Sequence, residues 1–244
     1  MNGVTVFCWD PRIDGVSGID DWLIENSITT THCAPSFLRA WSDLDCDAAN
    51  DDSIGSLRVV VTYGGEAVHG EDYARHRSHG FARVTYVNWL ATTETGVVAY
   101  NAFPPHSELP VGVVPAGRAR DGKDVQIVDV NGVPLPDGEI GEIQVVSSDL
   151  ADGYHGDPDR TATRFTRLGD GVSIYRTGDR GPHRRTRRTA TSGDASTTPS
   201  RFGGATWWNR WKSRRIFVEF PASPMFSWPS SSRTIDRRSS PTWS

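Results

Sequence analysis

The sequence predicts an α/β fold: a partial parallel-sheet subdomain with crossover helices, then a small antiparallel β subdomain, then a disordered C-terminal tail. Residues 57–63 form a continuous Val-rich run, which is typical of a strand buried on both faces of a sheet. Strand-like and helix-like segments alternate over residues 1–100, which indicates parallel strands joined by helices. Turn signals at 131–132 and 136–138 then separate short strand-like runs, which indicates hairpins.

The first predicted unit is the α/β part at residues 1–100. Ser17 and Asp20 have the spacing of a capping box, which favours a helix that begins there. Pro35 suits the first turn of a second helix, because that turn does not need its missing N–H donor. A third helix is expected over residues 71–79. The expected strands are short apolar or β-branched runs: 4–9, 28–31, 57–63 and 84–88.

The second predicted unit is a β-rich subdomain at residues 101–179. Its strand-like runs are 126–130, 142–146 and 173–176. The apolar residues of this segment are too few for a large core of their own. We therefore expect the subdomain to belong to the same core as the first unit.

The third predicted unit is the tail at residues 180–244. Arg, Ser, Thr and Pro dominate this segment, and its tryptophans follow no helical or strand period. A segment of this composition cannot bury enough apolar surface to offset the entropy of ordering its chain. The tail is therefore predicted to be disordered.

The formal net charge of −4 hides a strong asymmetry between the two ends of the chain. Residues 1–179 carry 13 Lys and Arg against 27 Asp and Glu, whereas residues 180–244 carry 13 against 3. A basic tail can bind nucleic acid or an anionic membrane surface. Here the tail has another explanation, given below, so nucleic acid is not the expected partner.

The cysteine content indicates a reducing compartment. The three cysteines, Cys8, Cys33 and Cys46, are odd in number and form no CxxC pair, which argues against a disulfide framework or a structural zinc site. No apolar run approaches the roughly 18 residues of a membrane span, and the first residues lack the pattern of a signal peptide. The expected location is therefore the cytoplasm, without membrane attachment.

The stretch Val84–Gly96 carries the candidate chemistry. It begins as a β-branched and aromatic run and continues into a predicted loop with three threonines and Glu94. Hydroxyl groups and a carboxylate at the end of a buried strand could hold a phosphate and its Mg²⁺ in the crevice of an open α/β sheet. The alternative is an ordinary polar loop, since Thr-Thr-Glu also occurs in such loops.

Further motifs stand around this loop in a fixed order and spacing. They are Tyr63-Gly64-Gly65-Glu66-Ala67, Gly141-Glu142-Ile143, Leu150-Ala151-Asp152-Gly153-Tyr154, Pro158-Asp159-Arg160-Thr161-Ala162 with Phe165, and Tyr175-Arg176-Thr177-Gly178-Asp179. The series resembles the adenylate-forming (AMP-binding) superfamily, which includes acyl-CoA synthetases and the adenylation domains of nonribosomal peptide synthetases. The resemblance extends from about residue 3 to residue 179.

The resemblance implies a two-step ligase reaction. A small carboxylate or amino acid attacks the α-phosphate of ATP, which gives an acyl-adenylate and pyrophosphate. A thiol then takes the acyl group. The implied cofactors are ATP or AMP and Mg²⁺, and the acceptor is coenzyme A or the phosphopantetheine arm of a carrier protein.

The resemblance also implies roles for individual residues. Thr93 would hydrogen-bond the nucleotide phosphate as a catalytic residue, and Glu94 would be both catalytic and a Mg²⁺ ligand. Asp179 would accept hydrogen bonds from the two ribose hydroxyls. Asn88 would lie close to the adenine and acyl pockets. Three consecutive residues would line the adenine side: Gly64, Gly65 and Glu66.

Two departures from the family pattern limit these roles. No segment of residues 1–62 resembles the family's phosphate loop. The lysines of the chain are Lys123 and Lys212, and neither stands in the motif of the family's catalytic lysine. We therefore expect a fragment, truncated at both ends, that is inactive alone. The alternative is a catalytically dead remnant or a nucleotide-binding module with a basic tail.

The tail departs from the family as well. The resemblance ends within one residue of Asp179, where the composition changes abruptly. This coincidence predicts that residues 180–244 are a frameshifted reading of a former C-terminal domain.

Overall fold

A computed structural model describes residues 4–44, 55–185 and 214–216, with side chains as far as Pro182. Most of the predicted tail, at 186–213 and 217–244, lies outside the described residues. The helices are α1 (Ile19–Glu25), α2 (Pro35–Ser42), α3 (Gly70–Ser78) and α4 (Pro158–Arg164). The strands are β1 (Thr30–Cys33), β2 (Val59–Thr62), β3 (Thr85–Thr92), β4 (Gly96–Phe103), β5 (Gly117–Ala119), β6 (Asp124–Val128), β7 (Ile140–Ser147), β8 (Phe165–Gly169), β9 (Val172–Arg185) and β10 (Arg214–Ile216).

The first part of the fold is the predicted parallel sheet. Strand β2 pairs in parallel with both β1 and β3. Helices α1, α2 and α3 contribute to one core on one face of these strands, where Trp41 and Tyr73 meet Val60 and Tyr86. Crossover helices between parallel strands therefore form the layer that the alternating sequence pattern predicts.

The opposite face of the same strands forms a broad open concavity. Its lining comes from β1 to β4 and includes His32, Val61, Val87 and Trp89. The Val-rich run of β2 thus has a helix layer on one side only, within the part of the chain that the structure describes. Val61 is nevertheless 2% exposed, because neighbouring strands shield its side chain.

The segment after β3 is a hairpin and not the long loop that the sequence predicts. Strand β3 continues to Thr92, a turn occupies residues 93–95, and β4 then returns antiparallel to β3. The pairing register shifts between Leu90 and Ala91. The carboxyl end of β3 is therefore a hairpin turn, and its polar residues are held by the two strands.

The second part of the fold is the predicted antiparallel sheet. Strand β7 pairs with β6 and β9, and β8 pairs with the other edge of β9. Strand β10 pairs with β5 and β9, so both parts belong to one ten-stranded arrangement. A second core joins Leu90 and Val98 of the β3–β4 hairpin to Ile127 and Ile143. This core includes residues from both sides of the predicted boundary at residue 100.

Three local predictions at the start of the chain are wrong. Residues 4–9 form no strand, and Val4 and Val6 are 79% and 81% exposed, because this run has no neighbouring strand to pair with. Helix α1 has no side-chain cap, since Gly18 occupies the N-cap position in a left-handed conformation. Asp20, predicted to complete a capping box, accepts a hydrogen bond from the Trp41 indole at 2.8 Å.

Strand β9 is longer than its sequence pattern indicates. It continues past Asp179 to Arg185, six residues into the segment that composition assigns to the tail. Pairing with β7 explains the extension, because Gly141 and Ile140 lie opposite Gly181 and Pro182.

None of the helices in the described segments combines the length and the apolar character needed to cross a bilayer.

Candidate functional site

The turn between β3 and β4 presents the residues with predicted catalytic roles. Thr92 and Thr95 hydrogen-bond each other through their hydroxyls at 2.9 Å, and Thr95 also donates to the carbonyl of Gly96. Thr95 is 2% exposed, so these two threonines stabilise the turn. Thr93 between them is exposed. It is the threonine of this turn whose hydroxyl is accessible to a phosphate.

Glu94 is half-buried beside Thr93 and accepts a hydrogen bond from the Tyr154 hydroxyl at 2.7 Å. Burial alone would raise the pKa of the Glu94 carboxyl. Hydroxyl donors from Tyr154, Tyr175 and Thr92, with the backbone N–H of the residue itself, outweigh burial and lower this pKa below its ordinary value. Glu94 is therefore a carboxylate at neutral pH.

Asp179 lies on β9 at the end of the Tyr-Arg-Thr-Gly-Asp motif. Its backbone N–H donates to the Thr177 hydroxyl at 3.0 Å, and that hydroxyl donates to the carbonyl of Ile143 at 2.9 Å. Burial raises the pKa of the half-buried Asp179 carboxyl. A carboxylate in this position gains from any ligand that brings hydroxyl donors to it.

Glu142 stabilises the turn that carries Asp179. Its carboxylate accepts from the Arg176 guanidinium and from the backbone N–H of Gly178 at 3.0 Å, and the Arg164 guanidinium lies 3.7 Å from it. Gly178 has a φ of +84°, which favours glycine. The Gly-Glu-Ile motif therefore acts on the fold, and the residue it positions is Asp179.

A separate small pocket contains the predicted adenine-side residues. Gly64, Glu66 and Asn88 line it together with the segment Val114–Ala116. The Glu66 carboxylate accepts from Ser36 and Arg39 at 2.7 Å each. Gly65 is not among the lining residues.

The side chain of Asn88 is already engaged in this pocket. Its amide group donates to the carbonyls of Val114 and Pro115, at 3.3 Å each. The amide therefore holds the 114–115 backbone against β3. A ligand would meet its remaining oxygen.

The predicted site residues thus form two groups. Gly64, Glu66 and Asn88 share the small pocket, and neither Thr93, Glu94 nor Asp179 lines it. Asn88 and Thr92 lie four residues apart on β3, about 13 Å at the rise of an extended strand. The hairpin turn and the pocket are therefore successive places along one strand.

The lysine and metal-ligand inventories show what the site does not contain. The ammonium group of Lys123 lies against the carbonyl of Asp149, and its side chain is 1% exposed, so it is unavailable to a substrate. Lys212 lies outside the described residues. Within residues 4–44 and 55–182, no group of three or more His, Cys, Asp or Glu side chains could hold a metal ion. A cation at Glu94 would need further ligands from a bound molecule.

Sequence reasoning missed two partners of Glu94. Tyr154 and Tyr175 both belong to motifs of the resemblance, but the sequence assigned neither a role. Their hydroxyls lie 3.3 Å apart, and Tyr154 is 60 residues from Glu94 along the chain. The signal available in the sequence was the presence of a tyrosine in each motif.

Comparison with known proteins agrees with this geometry. The family model of AMP-binding enzymes matches residues 1–155, which includes the hairpin turn and Tyr154 but not Asp179. Among curated relatives, the chain is 49% identical over 78 residues to pyochelin synthetase PchF of Pseudomonas aeruginosa, covering 32% of this chain and 4% of that protein. It is 33% identical over 165 residues to phenyloxazoline synthase MbtB of Mycobacterium sp. (strain MCS), covering 66% and 13%.

Solved structures show the same fold. PA1221, an NRPS protein containing adenylation and PCP domains, matches with a TM-score of 0.58 and 26% identity over 69% of this chain and 34% of that one. CmiS6 matches in fold, with a TM-score of 0.63 and 21% identity over 86% of this chain and 44% of its own. The chain spans less than half the length of each of these relatives and structures. With a family model matched over most of its residues, the chain belongs to the AMP-binding enzyme family.

Proposed function

We propose that the chain is the nucleotide-binding part of an ATP-dependent ligase that activates a carboxylate as its adenylate. The observation that carries the proposal is the β3–β4 turn, where an accessible Thr93 stands beside an ionised Glu94. In this proposal Thr93 donates to a phosphate oxygen and Glu94 faces the cation of the nucleotide. Asp179 accepts hydrogen bonds from the ribose hydroxyls, and Gly64, Gly65, Glu66 and Asn88 serve the adenine side.

Mg²⁺ suits Glu94 in a nucleotide-dependent way. No ion pair to Glu94 is found among the side chains that the structure describes, so the carboxylate is not neutralised by an arginine or lysine there. Mg²⁺ in nucleotide sites is held by one or two carboxylates together with phosphate oxygens and water. Glu94 would provide one such ligand, and the ion would offset charge that develops during phosphoryl transfer.

The substrate and the acceptor follow from the relatives. PA1221 is a protein with adenylation and PCP domains, and the curated relatives include peptide synthetases. We therefore propose a small carboxylate or amino acid as substrate and a carrier-protein phosphopantetheine arm as acceptor, with coenzyme A as the alternative. Use of ATP agrees with a cytoplasmic location.

Replacement of Glu94 by Gln is expected to remove the Mg²⁺ dependence of nucleotide binding. Gln keeps the size of the side chain but loses the negative charge that a hard cation requires. Titration with a fluorescent ATP analogue, with and without Mg²⁺, measures the effect. We expect affinity in Mg²⁺ to fall about tenfold or more, while affinity in EDTA stays unchanged.

Two further variants complete this experiment. Glu108→Gln removes an exposed carboxylate away from the turn and should leave binding unchanged. Asp179→Asn should weaken binding equally with and without Mg²⁺, because a ribose contact does not involve the cation. Equal Mg²⁺ dependence in wild type and Glu94→Gln would contradict the role proposed for Glu94.

The second candidate function is a nucleotide-binding module without catalysis, which the burial of Lys123 favours. We expect carboxylate-dependent pyrophosphate exchange by the isolated chain to stay at background, because preorganised positive charge supplies much of the rate in such transfers. Radiolabelled pyrophosphate with a panel of amino and aryl acids tests this. Exchange that depends on one acid and disappears in Glu94→Gln would establish a complete ligase.

A further inference from the structure

The Leu-Ala-Asp-Gly-Tyr motif has no role in the function proposed above, yet it contacts Glu94 twice. The backbone N–H of Ala151 donates to the Glu94 carbonyl at 2.8 Å. The Tyr154 hydroxyl donates to Oε1 of the Glu94 carboxylate at 2.7 Å. One short segment, residues 150–154, thus holds both the backbone and the side chain of the residue at the hairpin turn.

The same segment is itself held by helix α4. The backbone N–H of Tyr154 donates to the Thr161 hydroxyl at 2.9 Å, and that hydroxyl donates to the carbonyl of Asp157 at 2.8 Å. Gly153 has a φ of +146°, and a Cβ at this position would lie 2.4 Å from the Thr161 side chain. A residue other than glycine would therefore push the segment away from α4.

The Tyr154 ring is fixed on its own account. The Arg160 guanidinium lies over the ring at 4.3 Å from its centroid, and Phe165 packs edge-on with centroids 5.7 Å apart. These contacts restrict the ring to one place, so little entropy is lost when its hydroxyl bonds Glu94. The bond is therefore built into the fold and does not depend on a bound ligand.

We propose that Tyr154 is a positioning residue for Glu94: its hydroxyl fixes Oε1 of the carboxylate, so that Oε2 is presented to the Mg²⁺ of a bound nucleotide. The inference rests on the proposed function for the identity of the cation. A metal-ligating carboxylate is commonly oriented by a hydrogen bond of this kind, and loss of the partner typically lowers metal affinity by about 10–100-fold. The hydroxyl is also a donor that favours the ionised form of Glu94.

The test is Tyr154→Phe, which removes one hydroxyl and leaves the ring packing intact. The chain is labelled with ¹³C at the glutamate side-chain carboxyl, and the Glu94 resonance is assigned from its absence in Glu94→Gln. In the nucleotide-free chain we expect the pKa of Glu94 to rise in Tyr154→Phe. With the fluorescent ATP analogue, we expect the Mg²⁺ concentration for half-maximal binding to rise about tenfold, with no change in EDTA.

The control is Tyr100→Phe, an equivalent change at a tyrosine on β4 that is 39% exposed, and it should alter neither quantity. An unchanged Glu94 pKa in a folded Tyr154→Phe chain would overturn the proposal and leave the positioning to Tyr175 or the backbone. A raised pKa with unchanged Mg²⁺ dependence would overturn it equally. A wild-type chain that binds no Mg²⁺-nucleotide would instead refute the proposed function, while the carboxyl titration would still decide whether Tyr154 holds Glu94.

Discussion

Acidification from pH 7 to pH 4 is expected to lower the free energy of unfolding by roughly 3 kcal/mol through His76 alone. His76 is 0% exposed, its ring stacks on Phe81 at 3.9 Å, and Nδ1 hydrogen-bonds the Tyr86 hydroxyl at 2.8 Å. Nε2 has no hydrogen-bond partner. Burial, with a smaller contribution from His79, lowers the pKa of His76 to about 3.

The sign of this effect follows from where the proton binds. Below the ordinary histidine pKa of about 6.5, the unfolded chain takes up a proton that the folded chain refuses until about pH 3. The stabilisation is thus fully present above pH 6.5 and is lost progressively as the pH falls between these two values.

Urea denaturation at several pH values measures the loss, and two variants isolate the histidine. His76→Gln keeps a hydrogen-bonding side chain without a titrating group, so its stability should fall less on acidification even if it starts lower. His155→Gln, at an exposed position, should follow the wild type. Parallel pH profiles for wild type and His76→Gln would show that His76 does not carry the effect.

Replacement of Gly117 by Ala is expected to destabilise the fold by roughly 3 kcal/mol or more. Gly117 begins β5 with a φ of +92°, and a Cβ there would lie 2.1 Å from the carbonyl oxygen of Tyr100 on β4. The clash is with backbone, so rotation of a side chain cannot relieve it. It would force β5 away from β4, and with it Ala116 of the pocket beside Asn88.

Gly112→Ala is the matched control for this change. Gly112 also has a left-handed backbone, with a φ of +76°, but no atom lies within 4 Å of the added Cβ. Its substitution should therefore cost only the conformational strain, about 1 kcal/mol. Equal shifts of the urea midpoint in the two variants would mean that the close approach of β4 and β5 does not limit stability.

The sequence by itself determined the family and the outline of the fold. Pro35 at the first turn of α2 and the Val-rich β2 are local features, and the structure places both as the pattern predicts. The motifs that carry the resemblance were also readable, because each depends on a few neighbouring residues. Patterns of this kind report which faces of a segment are apolar and which residues permit a turn.

Only the tertiary structure decided the partners of the candidate site. The pairing of β3 with β4 turned the predicted loop into a hairpin, which leaves Thr93 exposed and buries Thr95. Contact between Tyr154 and Glu94 joins residues 60 positions apart and depends on α4, which has no buried residue of its own to reveal it. Periodicity and propensity describe short segments, whereas the ionisation of a carboxylate depends on donors that packing brings from distant parts of the chain.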